Sequence, residues 1–138
     1  WSIDARNDRI TDLSLRMQNF AHDLLGRKDI VVKFESAGLD ENITLPVLVK
    51  QNVYLIFKEA VNNIYKYGEA REVVIRLELK DKRIVMEVRE NGGGLKGGVT
   101  MGGHGMKNMK MRAESLKGTF HAESNQGVLI KVQIPIQD

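Results

Sequence analysis

The sequence has 138 residues with no cysteine; 42% are hydrophobic, 28% are charged, and the formal net charge is +3. That is enough chain for one domain with its own core, and it excludes wholesale disorder, disulfides, cysteine-type zinc sites and thiol catalysis. The mild positive charge suits an anionic ligand, but 21 basic residues interleaved with 18 acidic ones make no stripe of the nucleic-acid-binding kind.

The start, Trp1-Ser2-Ile3-Asp4, has neither the basic region nor the apolar stretch of a signal peptide, and no apolar run is long enough for a spanning helix. With no initiator Met, it reads as a piece of a longer chain. The first element predicted is a helix over 8–25, where Ile10, Leu13, Met17, Phe20 and Leu24 recur at spacings of three and four and Gly26 supplies the stop. A short β-branched strand follows at 30–34, then a polar loop over 37–45. A second helix runs over 46–67, opened by Pro46 and ended by Gly68. Its wide apolar face, including Val53, Ile56, Phe57, Ala60 and Ile64, marks it as deeply buried.

Strands at 72–79 and 83–89 alternate apolar with polar residues, and the short Lys80-Asp81-Lys82 link makes them an antiparallel hairpin. Residues 91–105 hold eight of the 13 glycines. A third helix over 105–117 is capped by Gly118, and strands 119–124 and 128–136 close the chain. The order α-β-α-β-β-loop-α-β-β, in one domain over 1–138, predicts an α/β fold: a two-layer sandwich with a mixed sheet.

Three clusters could carry chemistry. On the second helix Glu59, Asn63, Lys66 and Tyr67 fall at offsets that gather them along one edge, beside the apolar face. A carboxylate, an amide oxygen for a hard cation and an ammonium for phosphate suit a site in which magnesium takes one or two protein oxygens, water and phosphate completing its shell. The same spacing also suits a plain polar stripe at a helix border. Glu90-Asn91-Gly92-Gly93-Gly94 ends a strand with a carboxylate and three glycines that let the backbone approach a ligand. Gly103-His104-Gly105-Met106-Lys107-Asn108 leads a glycine-rich loop into a helix whose free amides favour phosphate. Neither a Walker loop nor a dinucleotide fingerprint is present, and His22, His104 and His121 make no metal-ligand spacing.

In this order the clusters resemble the ATP-binding catalytic domain of sensor histidine kinases, in the superfamily that includes gyrase, Hsp90 and MutL ATPases. Phe57 through Tyr67 is similar to its asparagine box, Gly103 through Ala113 to its second glycine box, and Trp1-Ser2-Ile3 with Asn7-Asp8 to the join after a dimerisation helix. The resemblance implies a Bergerat-type fold, a mostly antiparallel sheet covered on one face by three helices, with 1–27 as the leading helix and 91–105 as an ATP lid.

It implies roles too. Asn63 would ligate magnesium, and Glu59 would orient water or act as the base in phosphoryl transfer. Lys66 and Tyr67 would face phosphate or ribose, and Glu90, Gly92 and Gly94 the adenine. Gly103, Gly105 and Asn108 would contact phosphates, with Met106 beside them in the nucleotide-binding set. ATP and Mg2+ are thus the cofactors implied. The partners implied are a histidine-bearing dimerisation domain of the same kinase and a response regulator receiver domain, with no nucleic acid. The fragment would be monomeric and cytoplasmic, the parent a homodimer open to membrane anchorage. Two departures stand out. Glu90 replaces the family's Asp, and Val128 stands where Thr supports the adenine contact, so weaker nucleotide binding is expected. A serine kinase of the anti-sigma-factor type and a degenerate interaction module are the alternatives. His22, though next to Asp23, is expected in a surface or packing role rather than as the phosphoacceptor.

Overall fold

The computed structural model describes residues 9–92, 104–124 and 127–136. Three helices and five strands follow in the predicted order: α1 (Ile10–Gly26), β1 (Val31–Ala37), α2 (Val47–Tyr67), β2 (Glu72–Lys80), β3 (Arg83–Glu90), α3 (His104–Ser115), β4 (Thr119–Ser124) and β5 (Val128–Pro135). The strands form one sheet in the order β1-β2-β3-β5-β4. Only β1 with β2 is parallel; the other three pairings are antiparallel. The hairpin between β2 and β3 turns through Asp81 and Lys82, both at positive φ (53° and 61°), the tight turn whose twist matches paired strands.

The two faces of the sheet differ in kind. Val73, Ile75 and Leu77 of β2, with Ile84, Met86 and Val88 of β3, point inward and are buried under the helices. The outward face carries a rung of alternating charge across four strands, Glu35, Arg76, Glu87 and Lys131, with His121 of β4 next in register. Arg76 lies 3.6 Å from Glu35 and Lys131 3.7 Å from Glu87. Exposed pairs of this kind add little stability, but they keep this face in water and leave the other to the helices.

Helix α2 is the spine of the core. Val53, Ile56, Phe57, Val61 and Ile64 are each no more than 1% exposed. Phe57 stands edge-on to Phe20 of α1, ring centroids 6.0 Å apart, and stacks on Tyr54 at 6.2 Å. The α1 stripe is corrected in its second half: Ala21 and Leu25 carry the buried line, while Phe20 and Leu24 pack half-buried on its flank.

Both predicted glycine stops fall at or just beyond the helix ends, but neither glycine is the left-handed residue of the closing turn. The left-handed residue that ends α1 is Asp29 (φ 57°), and for α3 it is Lys117 (φ 62°). Around each, paired backbone bonds close a Schellman turn: Ile30 N to Leu25 O with Asp29 N to Gly26 O, and Gly118 N to Ala113 O with Lys117 N to Glu114 O. Gly118 is required for a different reason, since a Cβ there would stand 2.4 Å from the Gln133 carbonyl oxygen.

Candidate functional site

Helices α2 and α3 pack antiparallel, so the last turns of α2 meet the first turn of α3. Arg112, late in α3, reaches Asn52, early in α2, with Nη1 donating to Oδ1 at 3.2 Å. At the other end Gly105 lies directly against Glu59 and Asn63. A Cβ on Gly105 would stand 2.3 Å from Glu59 Oε1 and 3.3 Å from Asn63 Nδ2. The missing side chain is the space in which a carboxylate and an amide, one helical turn apart, meet the head of α3. Both side chains are half-buried. Asn108, one turn into α3, lines with Glu59 a cleft of about 270 Å³ that also takes in Lys58, Asn62 and Arg112.

A second group gathers at the end of β3, close to the loop that follows α2. Glu90 is only 3% exposed. Its Oε2 accepts the Gly92 N–H and its Oε1 the Val128 N–H, each at 2.7 Å. Asn91 Oδ1 accepts the N–H groups of Arg71 and Glu72 at 3.2 and 3.0 Å. Gly92 packs so tightly on the Glu69–Ala70 peptide that a Cβ would fall 2.4 Å from the Glu69 carbonyl carbon. Two side chains thus hold four backbone amides where the strands end, and a glycine lets the segment lie flat on its neighbour.

Of the residues predicted for the site, Glu59, Asn63, Gly105 and Asn108 come together at the α2–α3 junction, and Glu90 and Gly92 at the end of β3. Lys66 and Tyr67 are exposed on the last turn of α2. Met106 turns into the core, 6% exposed. Gly94, Gly103, the greater part of the predicted lid and the His104 side chain lie outside the described residues. Sequence reasoning missed Asn91 as a clamp on β2, the Val128 backbone amide as a partner of Glu90 and, outside these two groups, Lys28, whose ammonium donates to the Tyr65 carbonyl and sits 4.3 Å from the Tyr65 ring. An asparagine beside glycines at a strand end was a readable signal, because its short side chain competes for nearby backbone amides. The other two are long-range pairs with no local trace.

One test of fit for Mg-ATP comes from the donor set. Among the described residues no group of three His, Cys, Asp or Glu could cage a metal by itself. The pair of Glu59 and Asn63 at the head of a helix instead suits an ion that keeps water and phosphate oxygens in its shell. The helix N-terminus supplies amides for those phosphates. The residues present fit the group.

Comparison with known proteins agrees with this fold. The family described as histidine kinase-, DNA gyrase B-, and HSP90-like ATPase matches residues 49–138. The oxygen sensor histidine kinase NreB of Staphylococcus carnosus is 34% identical over 90 residues, 62% of this chain and 26% of that protein. The chain therefore spans about a quarter of the length of this curated relative. Among solved structures, the histidine kinase domain of the Erythrobacter litoralis EL346 blue-light activated kinase superposes with a TM-score of 0.70 at 17% identity, covering 90% of this chain and 61% of that one. The catalytic domain of histidine kinase ThkA gives a TM-score of 0.71 at 14% identity, covering 93% and 94%. The chain belongs to this ATPase family, and the relatives and solved structures named here are sensor histidine kinases. Among its described residues no helix is long and apolar enough to cross a membrane.

Proposed function

We propose that this domain binds Mg-ATP and donates the γ-phosphoryl group to a histidine on a separate dimerisation domain of the same parent, for relay to an aspartate of a response regulator. The observation that carries the reading is the convergence of Glu59 and Asn63 on Gly105. It sets a carboxylate and a side-chain amide where the free amides of α3 begin.

In this reading Asn63 Oδ1 is the protein ligand of magnesium, and the amides around Gly105, with Asn108, hold phosphate oxygens. Magnesium, when bound, neutralises charge on the phosphates. Glu59 orients water or takes the proton released as the acceptor imidazole is phosphorylated. Phosphoryl transfer needs little covalent help, so the work of these residues is positioning and charge. Lys66 and Tyr67, exposed at the end of α2, are free to reach phosphate or ribose, and the β3 end lies towards the base. The parent would act as a homodimer on the cytoplasmic side, open to membrane anchorage.

Calorimetric titration with ATP, with and without magnesium, tests the first step. Magnesium-dependent binding lost in Asn63→Ala supports it. Equal binding by Asn63→Ala refutes the assigned ligand, and no binding by the folded wild-type chain at millimolar ATP refutes the reading. Transfer is tested by adding a histidine-bearing dimerisation domain and finding acid-labile phosphate on it.

A further inference from the structure

The β3–β5 ladder ends at Arg89 and Leu129. One step further on, the Glu90 side chain continues the connection by taking the Val128 N–H at 2.7 Å while its other oxygen holds Gly92 N–H at the same distance. The backbone here has no slack. A Cβ on Gly127, itself at φ 149°, would fall 2.2 Å from the Glu90 carbonyl oxygen, and Gly92 is pressed on Glu69–Ala70. Val128 is 2% exposed and has no hydroxyl to offer the carboxylate. An aspartate is shorter by one methylene, about 1.5 Å of reach. From two bonds of 2.7 Å, that shortening carries at least one of them beyond hydrogen-bond range unless the pinned backbone moves.

We propose that Glu90 is a clasp, a positioning residue whose full length ties the end of β3 to the start of β5, and that glutamate at 90 and valine at 128 form a matched pair. The clasp fixes the two segments on either side of the β3 end as one wall. For nucleotide affinity the proposal rests on the Mg-ATP reading; for the wall itself it does not. The departure from aspartate is then a fit to Val128 rather than a loss.

The test uses Glu90→Asp, Val128→Thr and the double variant. Amide hydrogen exchange on the nucleotide-free chain is read first. Glu90→Asp should lower protection of the Val128 or Gly92 amide at least tenfold, and Val128→Thr, which adds a hydroxyl donor beside the shortened carboxylate, should recover part of it only in the Glu90→Asp background. Titration with ATP and with ITP, which lacks the exocyclic amine, follows. A positioning residue should weaken both nucleotides in Glu90→Asp by a similar factor, several-fold or more. Unchanged protection and affinity in Glu90→Asp, or a double variant that equals the sum of its singles, overturns the matched pair. Loss of ATP affinity alone, with ITP unaffected, makes Glu90 a direct base contact and overturns the clasp. Failure of the wild-type chain to bind either nucleotide refutes the Mg-ATP reading and leaves the exchange result to decide the clasp. If Glu90→Asp alone does not fold, folding of the double variant is the rescue, and its failure to fold overturns the pairing.

Discussion

Replacing Gly105 with alanine sets stability against function at one atom. The residue is the second of α3, where alanine favours helix over glycine by up to about 1 kcal/mol. The new methyl would stand 2.3 Å from Glu59 Oε1, 3.2 Å from its Cδ and 3.3 Å from Asn63 Nδ2. Those are the tips of side chains, not backbone, so the fold can yield. Carboxylate and methyl must part by about 1 Å to reach ordinary contact. Gly105→Ala should therefore unfold at the same temperature as the parent or up to roughly 4 °C higher. The same displacement takes Glu59 off its position and presses on Asn63. Losing one charged hydrogen bond or metal contact costs about 1.5–3 kcal/mol, so Mg-ATP affinity should fall by roughly ten- to a hundredfold. Urea or thermal melts beside calorimetric titration give both numbers on one sample. Raised stability with unchanged affinity would show that the placement of Glu59 and Asn63 against α3 is irrelevant to binding, and the site as built here would be wrong.

Other substitutions probe the scaffold. Gly92→Ala meets backbone rather than side-chain tips, 2.4 and 2.5 Å from Glu69 C and Ala70 N, so it should lower stability by about 1–3 kcal/mol as well as weaken nucleotide binding, measured by denaturant melts. Phe57→Ala empties a fully buried position between Phe20 and Tyr54, and should cost about 3–5 kcal/mol in the same assay. Asn63→Ala, on the rim of the core, should leave the melting temperature within a few degrees while magnesium-dependent ATP binding is lost.

Hydrophobic periodicity settled much of this protein from the sequence alone. The eight elements, their order and their ends to within a few residues follow from local spacing, because a buried helix face and a half-buried strand each repeat with their own period. The offset of Glu59 and Asn63 was readable for the same reason: four residues apart on a helix is one turn. The short link at Asp81 and Lys82 likewise announced its hairpin.

Contacts between distant segments were decided only by the tertiary structure. The strand order, with β5 inserted between β3 and β4, depends on which edges pair rather than on any local pattern. Sequence assigned the helix stops to Gly26 and Gly118, yet the left-handed residues are Asp29 and Lys117, because the turn geometry tolerates a side chain where glycine was not needed. Gly118 matters instead for its approach to Gln133. Met106 shares a motif with Gly105 but points into the core, since neighbours on a helix face different ways. Glu90 read as a substitution one methylene too long. Its length acquires a purpose only when the Val128 amide, 38 residues away in sequence, is folded against it. A side chain's reach is written in its own identity; what it reaches is written in the fold.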